Sequence, residues 1–226
     1  MKREIHRTDS CAVLLRGGRS SRMGTDKAAL LWKENTTFLQ AVAGQMDFLP
    51  EKYISVSAQG ADLCRKELLT LPAGWTVLPD RVPDCGPAGG IWTALTACRS
   101  EWALVASCDI PAVESALFLR LLEETVSDRN EIIYPVTPDG KSHLTCALYR
   151  KRIAPVLERQ ILRGHYRRQT GRDHRPRTDP DAFKCKFRGG SEADQKGLIT
   201  SRRFPACQPA DLSGILFMTV IIFKFN

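Results

Sequence analysis

A short apolar run that ends at a pair of glycines constrains this chain more than any other feature. Residues 12–15 are typical of a buried strand, and Gly17 and Gly18 follow after one further residue. The next stretch carries a further glycine, Gly24, together with arginines and a lysine. Glycines let backbone amides approach an anion closely, and cations neutralise it. The segment therefore predicts a loop that can bind a nucleotide triphosphate.

The spacing of this loop excludes two common phosphate-binding motifs. A Walker A loop has four residues between its glycines and a lysine directly after the second. Here five residues separate Gly18 from Gly24, and Lys27 comes three positions later. A dinucleotide loop needs Gly-x-Gly-x-x-Gly, which Gly17, Gly18 and Gly24 do not fit.

Apolar runs alternate with helical patterns along most of the chain. The patterns predict strands at residues 12–15, 53–57, 76–78, 103–107, 132–136 and 144–149. They predict helices at residues 37–49, 61–69, 89–97, 114–126 and 153–163, the first capped by Thr36 or Thr37. Such alternation predicts an α/β, Rossmann-like fold: a mostly parallel sheet with helices on both faces. Ligands of these sheets bind beyond the carboxyl ends of the strands, where the glycine loop would lie.

Charge and cysteine usage narrow the class of protein. The net charge is +8, but residues 1–162 contribute only +1 and residues 163–226 contribute +7. The basic excess therefore belongs to the tail, and we expect no nucleic-acid partner. The eight cysteines form no Cys-x-x-Cys pair or zinc spacing, which favours a reduced, cytoplasmic setting. The apolar stretch at residues 215–223 is too short to span a bilayer as a helix.

The glycine loop resembles that of a known family. Residues 14–27 read Leu-Leu-Arg-Gly-Gly-Arg-Ser-Ser-Arg-Met-Gly-Thr-Asp-Lys. This is similar to the Leu-x-Gly-Gly-x-Ser-x-Arg-Met-Gly-x-Asp-Lys loop of nucleotidyltransferases related to the molybdenum cofactor guanylyltransferases, except that Arg16 replaces the usual alanine. The resemblance extends over residues 11–166 and implies a nucleotide-diphospho-sugar-transferase-like fold. It divides the chain into a nucleotidyltransferase domain at 1–166 and an atypical basic segment at 167–226, which we interpret as altered or partly disordered.

Two further motifs match the same family. Asp109 follows the predicted strand at 103–107 and precedes Pro111, as in the family's Cys-Asp-x-Pro metal site, which implies that Asp109 binds Mg²⁺. Asp80 matches a nucleotide-contacting aspartate, and Gly86, Pro87 and Gly89 match a Gly-Pro-Leu-x-Gly turn. Read from the residues alone, Asp109 also fits a helix cap, and the glycine turn also fits a plain connection from strand to helix.

The resemblance extends, more weakly, to two single residues. Gln59 takes the position of an asparagine that faces the base, and it carries the same amide one methylene further out. His143 lies in a Lys-Ser-His-Leu stretch similar to the family's His-Pro-Leu element near the acceptor site. The alternatives are an ordinary polar loop residue at position 59 and a structural histidine at position 143.

The resemblance also implies a reaction and a set of site residues. A terminal phosphate of molybdopterin would attack the α-phosphorus of GTP, and pyrophosphate would leave. The implied catalytic residues are Arg22, Lys27 and Asp109. The implied nucleotide-binding residues are Leu15, Arg16, Gly17, Gly18, Lys27, Gln59, Asp80 and Asp109.

Other functions stay open at the level of the sequence. The alternatives are a related cytidylyltransferase, another nucleotidyltransferase such as one that acts on sugar phosphates, or a nucleotide-binding protein without activity. The expected partners are GTP and molybdopterin, with transient contacts to cofactor-biosynthesis proteins or molybdoenzymes. We expect no membrane partner.

Overall fold

The chain forms a seven-stranded sheet with helices on both faces. The computed structural model describes residues 2–3, 7–16, 27–33, 35–57, 70–123, 126–127, 130–137, 140–169 and 219–224. The strands are β1 (Lys2–Arg3), β2 (Ser10–Arg16), β3 (Leu31–Lys33), β4 (Thr36–Thr37), β5 (Glu51–Val56), β6 (Trp75–Pro79), β7 (Trp102–Ser107), β8 (Val126–Ser127), β9 (Asn130–Val136), β10 (Cys146–Arg150) and β11 (Thr219–Lys224). The helices are α1 (Phe38–Gln45), α2 (Gly86–Ala97), α3 (Ser115–Glu123) and α4 (Ala154–Gln169).

The main sheet has a parallel half and an antiparallel half. Its strand order is β11-β9-β10-β7-β2-β5-β6. Strand β2 pairs in parallel with β5 and β7, and β5 pairs in parallel with β6. Strand β10 runs antiparallel to β7 and β9, and β11 runs antiparallel to β9. Five strands (β2, β5, β6, β7 and β9) therefore share one direction, which confirms the prediction of a mostly parallel sheet.

Two apolar layers hold the helices against the sheet. Strand β2 is buried along its whole length, so its side chains alternate between the layers. Ala12 and Leu14 belong to the layer that includes residues of α1 and α3. Cys11, Val13 and Leu15 belong to the layer that includes residues of α2 and α4. A strand covered on both faces reads as a continuous apolar run, which is why the sequence predicts it well.

Helix α1 begins where the sequence predicts but ends earlier. Thr37 is its cap: the Thr37 hydroxyl accepts a hydrogen bond from the Gln40 N–H at 3.2 Å, and the Gln40 side chain accepts one from the Thr37 N–H at 2.7 Å. The predicted end at residue 49 is wrong, because turns replace the helix from Met46 onward. Pro50 disfavours helical backbone at the preceding residue, Leu49, although Leu49 is still buried in the core.

The other element boundaries differ from prediction for local reasons. Helix α2 begins at Gly86 rather than at residue 89, because Pro87 suits the first turn of a helix. Helix α3 ends at Glu123, and Val126 belongs instead to β8, which pairs with β1. Strand β10 begins at Cys146 rather than at residue 144, because the Cys146 N–H closes a turn onto the His143 carbonyl. The predicted helix at 61–69 lies outside the described residues.

The described part of the C-terminal segment adds regular structure to the fold. Helix α4 continues to Gln169, past the domain boundary at residue 166 that the resemblance implies. Strand β11 pairs with β9 over the register from Thr219 to Lys224 and forms one edge of the main sheet. No helix in the described ranges is long and apolar enough to cross a membrane.

Glu51 connects the amino-terminal ends of β5 and β7. Its carboxylate accepts hydrogen bonds from the backbone N–H groups of Arg99 and Ser100, at 2.8 and 3.1 Å, and from the Ser100 and Tyr53 hydroxyls, at 2.5 and 2.7 Å. Burial raises the pKa of Glu51, but these hydrogen bonds outweigh it and hold the pKa below the ordinary glutamate value.

We predict that Glu51→Gln lowers the free energy of unfolding by about 1–3 kcal/mol at neutral pH, because an amide cannot accept all four hydrogen bonds. The matched control is Glu123→Gln, whose exposed carboxylate pairs with Arg120 at 3.2 Å; we expect a change of at most about 0.5 kcal/mol. Urea unfolding measures both variants.

The effect of Glu51→Gln should depend on pH. Because the folded-state pKa is depressed, the stabilisation by Glu51 is fully present above the unfolded-state value of about 4.3 and is lost as the pH falls through the lower folded-state value. A difference between wild type and Glu51→Gln that persists undiminished through this acid range would contradict the assignment.

Candidate functional site

The carboxyl ends of four parallel strands meet at one edge of the sheet. Strand β2 lies at the centre, with β5 and β6 on one side and β7 on the other. After β2, the chain adds β5 and β6 on one side of this strand and then β7 on its other side. Ligands of α/β sheets bind in the crevice at the point where the strand order reverses in this way. Asp80 follows β6 and Asp109 follows β7, so both predicted carboxylates lie at this edge.

The end of β2 is hydrogen-bonded to the segment that leads to Asp109. Leu15 and Arg16 are the last residues of β2 and are buried, and Arg16 has an interaction partner. The Cys108 N–H donates a hydrogen bond to the Leu15 carbonyl at 3.1 Å. The last described residues before the glycine loop are therefore held next to the residue that precedes the exposed Asp109.

Several residues of the predicted nucleotide site are not among those that the structure describes. Gly17, Gly18, Arg22 and Gln59 lie outside the described residues. Lys27 begins the 3₁₀ helix Lys27–Ala29, whose next residue, Ala28, is buried in the same apolar layer as α1. The roles of these side chains stay predictions.

Asp80 is held in place by the neighbouring strand β5. Its N–H donates to the Val56 carbonyl at 2.8 Å, and its Oδ1 accepts a hydrogen bond from the Ser55 hydroxyl at 2.7 Å. Burial raises the pKa of Asp80, and the Ser55 hydrogen bond partly offsets this shift by favouring the carboxylate. Asp80 is therefore a partly desolvated acceptor with a fixed orientation, which suits a contact with N–H or O–H donors of a nucleotide.

Gly90 makes this arrangement sterically feasible. A Cβ at Gly90 in α2 would lie 2.4 Å from the Ser55 Oγ and 3.1 Å from the Leu15 Cδ2. From the sequence we expect Gly89 in this motif instead, although the fifth position of the Gly-Pro-Leu-x-Gly pattern falls on Gly90. The strict spacing of that pattern is thus the signal in the sequence that points to Gly90. Gly90 thus allows α2 to pack closely on the ends of β2 and β5.

The segment after Asp80 is fastened to the same helix. The Arg81 N–H donates to the Thr93 hydroxyl at 3.1 Å, and the Arg81 guanidinium lies 5.7 Å from the centre of the Trp92 ring. Both partners belong to α2, so the connection from β6 to α2 folds back over that helix.

Asp109 also borders a cleft of about 460 Å³ on the β7 side of the crevice. The cleft contains the predicted acceptor-site residue His143, whose backbone N–H donates a hydrogen bond to the Pro135 carbonyl at 3.1 Å. Its lining is otherwise mostly apolar and comprises Trp32, Phe38, Ile110, Pro111, Ala112, Val113, Leu117, Pro135 and Cys146. The structure thus brings Asp109 and His143 to one cleft, while Asp80 lies beyond β2 on the other side.

A second groove, of about 550 Å³, lies at the opposite edge of the sheet. Residues at or before the starts of the strands line it, including Asp9, Glu51, Lys52 and Thr76. It contains none of the predicted site residues. Within the described ranges, no group of three or more His, Cys, Asp or Glu side chains could hold a metal ion. Within that part of the chain, a metal at Asp109 would therefore be completed by a bound phosphate or water.

Comparison with known proteins points to one family. A family model described as a MobA-like NTP transferase domain matches residues 12–176. A Flavobacterium johnsoniae protein named "probable molybdenum cofactor guanylyltransferase" is 30% identical over 148 residues, which cover 66% of this chain and 72% of that protein. The Cupriavidus taiwanensis "molybdenum cofactor guanylyltransferase" is 31% identical over 140 residues, covering 61% of this chain and 67% of that protein.

Solved structures agree with the fold. Molybdopterin-guanine dinucleotide biosynthesis protein A from Archaeoglobus fulgidus has a TM-score of 0.52 at 19% identity, over 68% of this chain and 74% of that one. The 4-diphosphocytidyl-2C-methyl-D-erythritol synthase from Anaerococcus prevotii has a TM-score of 0.52 at 14% identity, over 81% of this chain and 86% of that one. These likenesses confirm the predicted nucleotide-diphospho-sugar-transferase-like fold.

We predict that Gly90→Ala destabilises the protein by about 1–3 kcal/mol, because the new methyl group would displace Ser55. Gly44→Ala is the matched control: Gly44 also lies in a helix, and a Cβ added there would meet no atom within 4 Å, so the change should stabilise by about 0.5–1 kcal/mol. Thermal and urea unfolding of both variants measure the difference.

The partner of the clash can be tested in a double variant. Adding Ser55→Ala to Gly90→Ala removes the nearest atom and should recover part of the lost stability. If Gly90→Ala proved as stable as Gly44→Ala, the close approach of α2 to β5 would be wrong.

Proposed function

The chain belongs to the MobA-like NTP transferase domain family and is a nucleotidyltransferase, and from this premise we propose that it transfers GMP from GTP to molybdopterin. The observation that carries the proposal is the hydrogen bond from Cys108 to Leu15, because it joins the strand before the glycine loop to the strand before Asp109. The free thiols of the described cysteines agree with a reaction in the cytoplasm.

In the proposed reaction, an oxygen of the molybdopterin phosphate attacks the α-phosphorus of GTP. A new phosphorus–oxygen bond forms, the bond between the α- and β-phosphates breaks, and pyrophosphate leaves. This chemistry needs little proton transfer, so the protein contributes alignment and charge neutralisation. Gly17 and Gly18 would donate backbone N–H groups to the triphosphate, and Arg22 and Lys27 would neutralise its charge.

Asp109 fits the role of a magnesium ligand. It is an exposed carboxylate, a hard oxygen donor, at the carboxyl edge of the sheet. Mg²⁺ bound there would supply neutralisation of the phosphate charge. A single carboxylate is enough, since Mg²⁺ in such sites takes its remaining ligands from phosphates and water.

Asp80 would contact the nucleoside of GTP. Its carboxylate is held by Ser55 at 2.7 Å, so an oriented acceptor is available for the N–H groups of a guanine or the hydroxyls of a ribose. Leu15, Arg16 and Gln59 would complete this side of the site, since Leu15 and Arg16 end the neighbouring strand β2. GTP then occupies the β2, β5 and β6 side, and the acceptor approaches from the β7 side.

The alternative functions differ from the proposed one in the nucleotide, in the acceptor or in whether any pyrophosphate is released. A cytidylyltransferase acting on the same acceptor would release pyrophosphate with CTP and not with GTP. A sugar-phosphate nucleotidyltransferase would release it with a sugar phosphate in place of molybdopterin. A nucleotide-binding protein without activity would bind GTP and release none with any acceptor. Pyrophosphate release across this panel of nucleotides and acceptors distinguishes all four functions.

We predict that Asp109→Asn lowers the rate of pyrophosphate release from GTP and molybdopterin by at least about 10²–10³-fold, because the neutral amide is a poor magnesium ligand. Asp84→Asn is the matched control. Asp84 is an exposed aspartate in the connection between β6 and α2, and its backbone φ of 58° is one that asparagine tolerates. We expect Asp84→Asn to retain wild-type turnover and both variants to keep wild-type stability. Equal turnover of the two variants would contradict the role of Asp109.

A further inference from the structure

We propose that the cleft beside Asp109 binds the ring system of the acceptor and that Trp32 forms the wall on which this ring packs. The inference rests on the proposed function and deepens it, since it assigns a site and a residue to the acceptor. Its chemical class is a planar heteroaromatic ring that carries a phosphate.

One wall of the cleft is an aromatic pair. Trp32 belongs to the hairpin of β3 and β4, and Phe38 is the first residue of α1. Their ring centres lie 5.9 Å apart with an angle of 86° between the planes, an edge-to-face contact. The Phe38 N–H also donates to the Leu30 carbonyl at 2.8 Å, which fastens the base of the hairpin to α1. This wall is thus held by backbone as well as by side-chain contacts.

Most of the rest of the lining is apolar and comes from a different part of the chain. It consists of the connection between β7 and α3, from Ile110 to Val113, together with Leu117 of α3. The Val113 N–H donates to the Ile110 carbonyl at 3.0 Å, which closes this connection into a turn. A mostly apolar lining around about 460 Å³ suits a flat ring better than a hydrated sugar, whose hydroxyls would need polar partners.

Charged groups at the rim suit a ring that bears a phosphate. Asp109, the proposed magnesium ligand, borders the cleft. On the hairpin, the Lys33 ammonium lies 5.7 Å from the centre of the Trp32 ring. A ring packed on Trp32 would therefore have a cation beside it and a carboxylate that can hold Mg²⁺ at the edge of the cleft, as an acceptor phosphate requires.

The position of the cleft also agrees with an acceptor rather than with GTP. Asp80 and Ser55 lie on the β5 and β6 side of the central strand. The cleft lies on the β7, β10 and β9 side, since Cys146 and Pro135 line it. The two substrates would thus approach the glycine loop from opposite sides of β2.

Trp32 is an exposed tryptophan among buried ones, which makes binding directly measurable. It is 38% exposed, whereas Trp75, Trp92 and Trp102 are at most 8% exposed. Acrylamide should therefore quench mainly the fluorescence of Trp32. We expect molybdopterin, and also neopterin as a pterin that lacks the phosphate, to protect this fluorescence from acrylamide without any nucleotide present. Unchanged quenching at saturating molybdopterin would overturn the proposal.

Kinetics of three variants test the same assignment during turnover. Trp32→Ala should raise the KM for molybdopterin by roughly tenfold and leave the KM for GTP unchanged, and Trp32→Phe should recover most of the loss. The matched control is Leu31→Ala, which removes the neighbouring side chain of the same hairpin, 65% exposed and not part of the cleft lining. Leu31→Ala should keep the wild-type KM for both substrates.

The outcomes separate this inference from the proposed function. If molybdopterin protects the Trp32 fluorescence of the wild-type protein from acrylamide but the protein releases no pyrophosphate from GTP, the proposed reaction is wrong and the ring site stands. If turnover is normal and Trp32→Ala has the same molybdopterin KM as Leu31→Ala, the ring site is wrong and the reaction stands. Trp32→Phe should keep the wild-type melting temperature, because an aromatic ring still packs against Phe38. Trp32→Ala removes that contact, so its melting temperature should fall slightly while the protein stays folded.

Discussion

The central strand β2 is the element on which the rest of the site depends. It is buried along its length between β5 and β7, and its register with both strands brings their carboxyl ends level. The Cys108 N–H then bonds to the Leu15 carbonyl where β2 ends. The end of β2 is therefore held next to the segment that leads to Asp109. A buried strand is a firm support for such a junction, because shifting its register by one residue would move every side chain into the apolar layer on the other face of the sheet.

The two sides of β2 differ in chemistry, and this difference suits two different substrates. On the β5 side, Ser55 and Asp80 form a polar pair that α2 can approach closely only because residue 90 is a glycine. On the β7 side, Trp32 and Leu117 face an apolar cleft with Asp109 at its border. The ribose of a nucleotide has hydroxyls that need polar partners, whereas an apolar cleft suits the flat faces of a ring. We therefore propose the first side for the nucleotide and the second for the acceptor ring.

The sequence predicts much of the fold, because the features that define it are local. Buried strands read as apolar runs, and Thr37 with Gln40 reads as a capped helix start. The antiparallel direction of β10 could not be read in this way, since strand direction depends on the turn that closes at His143. Pro50 disfavours helical backbone at Leu49, which agrees with an end of α1 before that residue, whereas the apolar pattern through Leu49 predicts a longer helix.

The site is less predictable than the fold, because its contacts join distant parts of the chain. Asp80 and Asp109 could be proposed from their positions after strands. The Ser55 partner of Asp80 is 25 residues away in sequence and has no local signal. Trp32 reads as an ordinary residue after the glycine loop, and only the folded chain brings it to the same cleft as Leu117. The most direct test is a crystal structure with GTP and Mn²⁺, whose anomalous scattering locates the metal. We predict manganese at Asp109, with the triphosphate between it and residues 17–27. Metal and triphosphate bound at the opposite edge of the sheet, in the groove beside Glu51, would contradict this assignment.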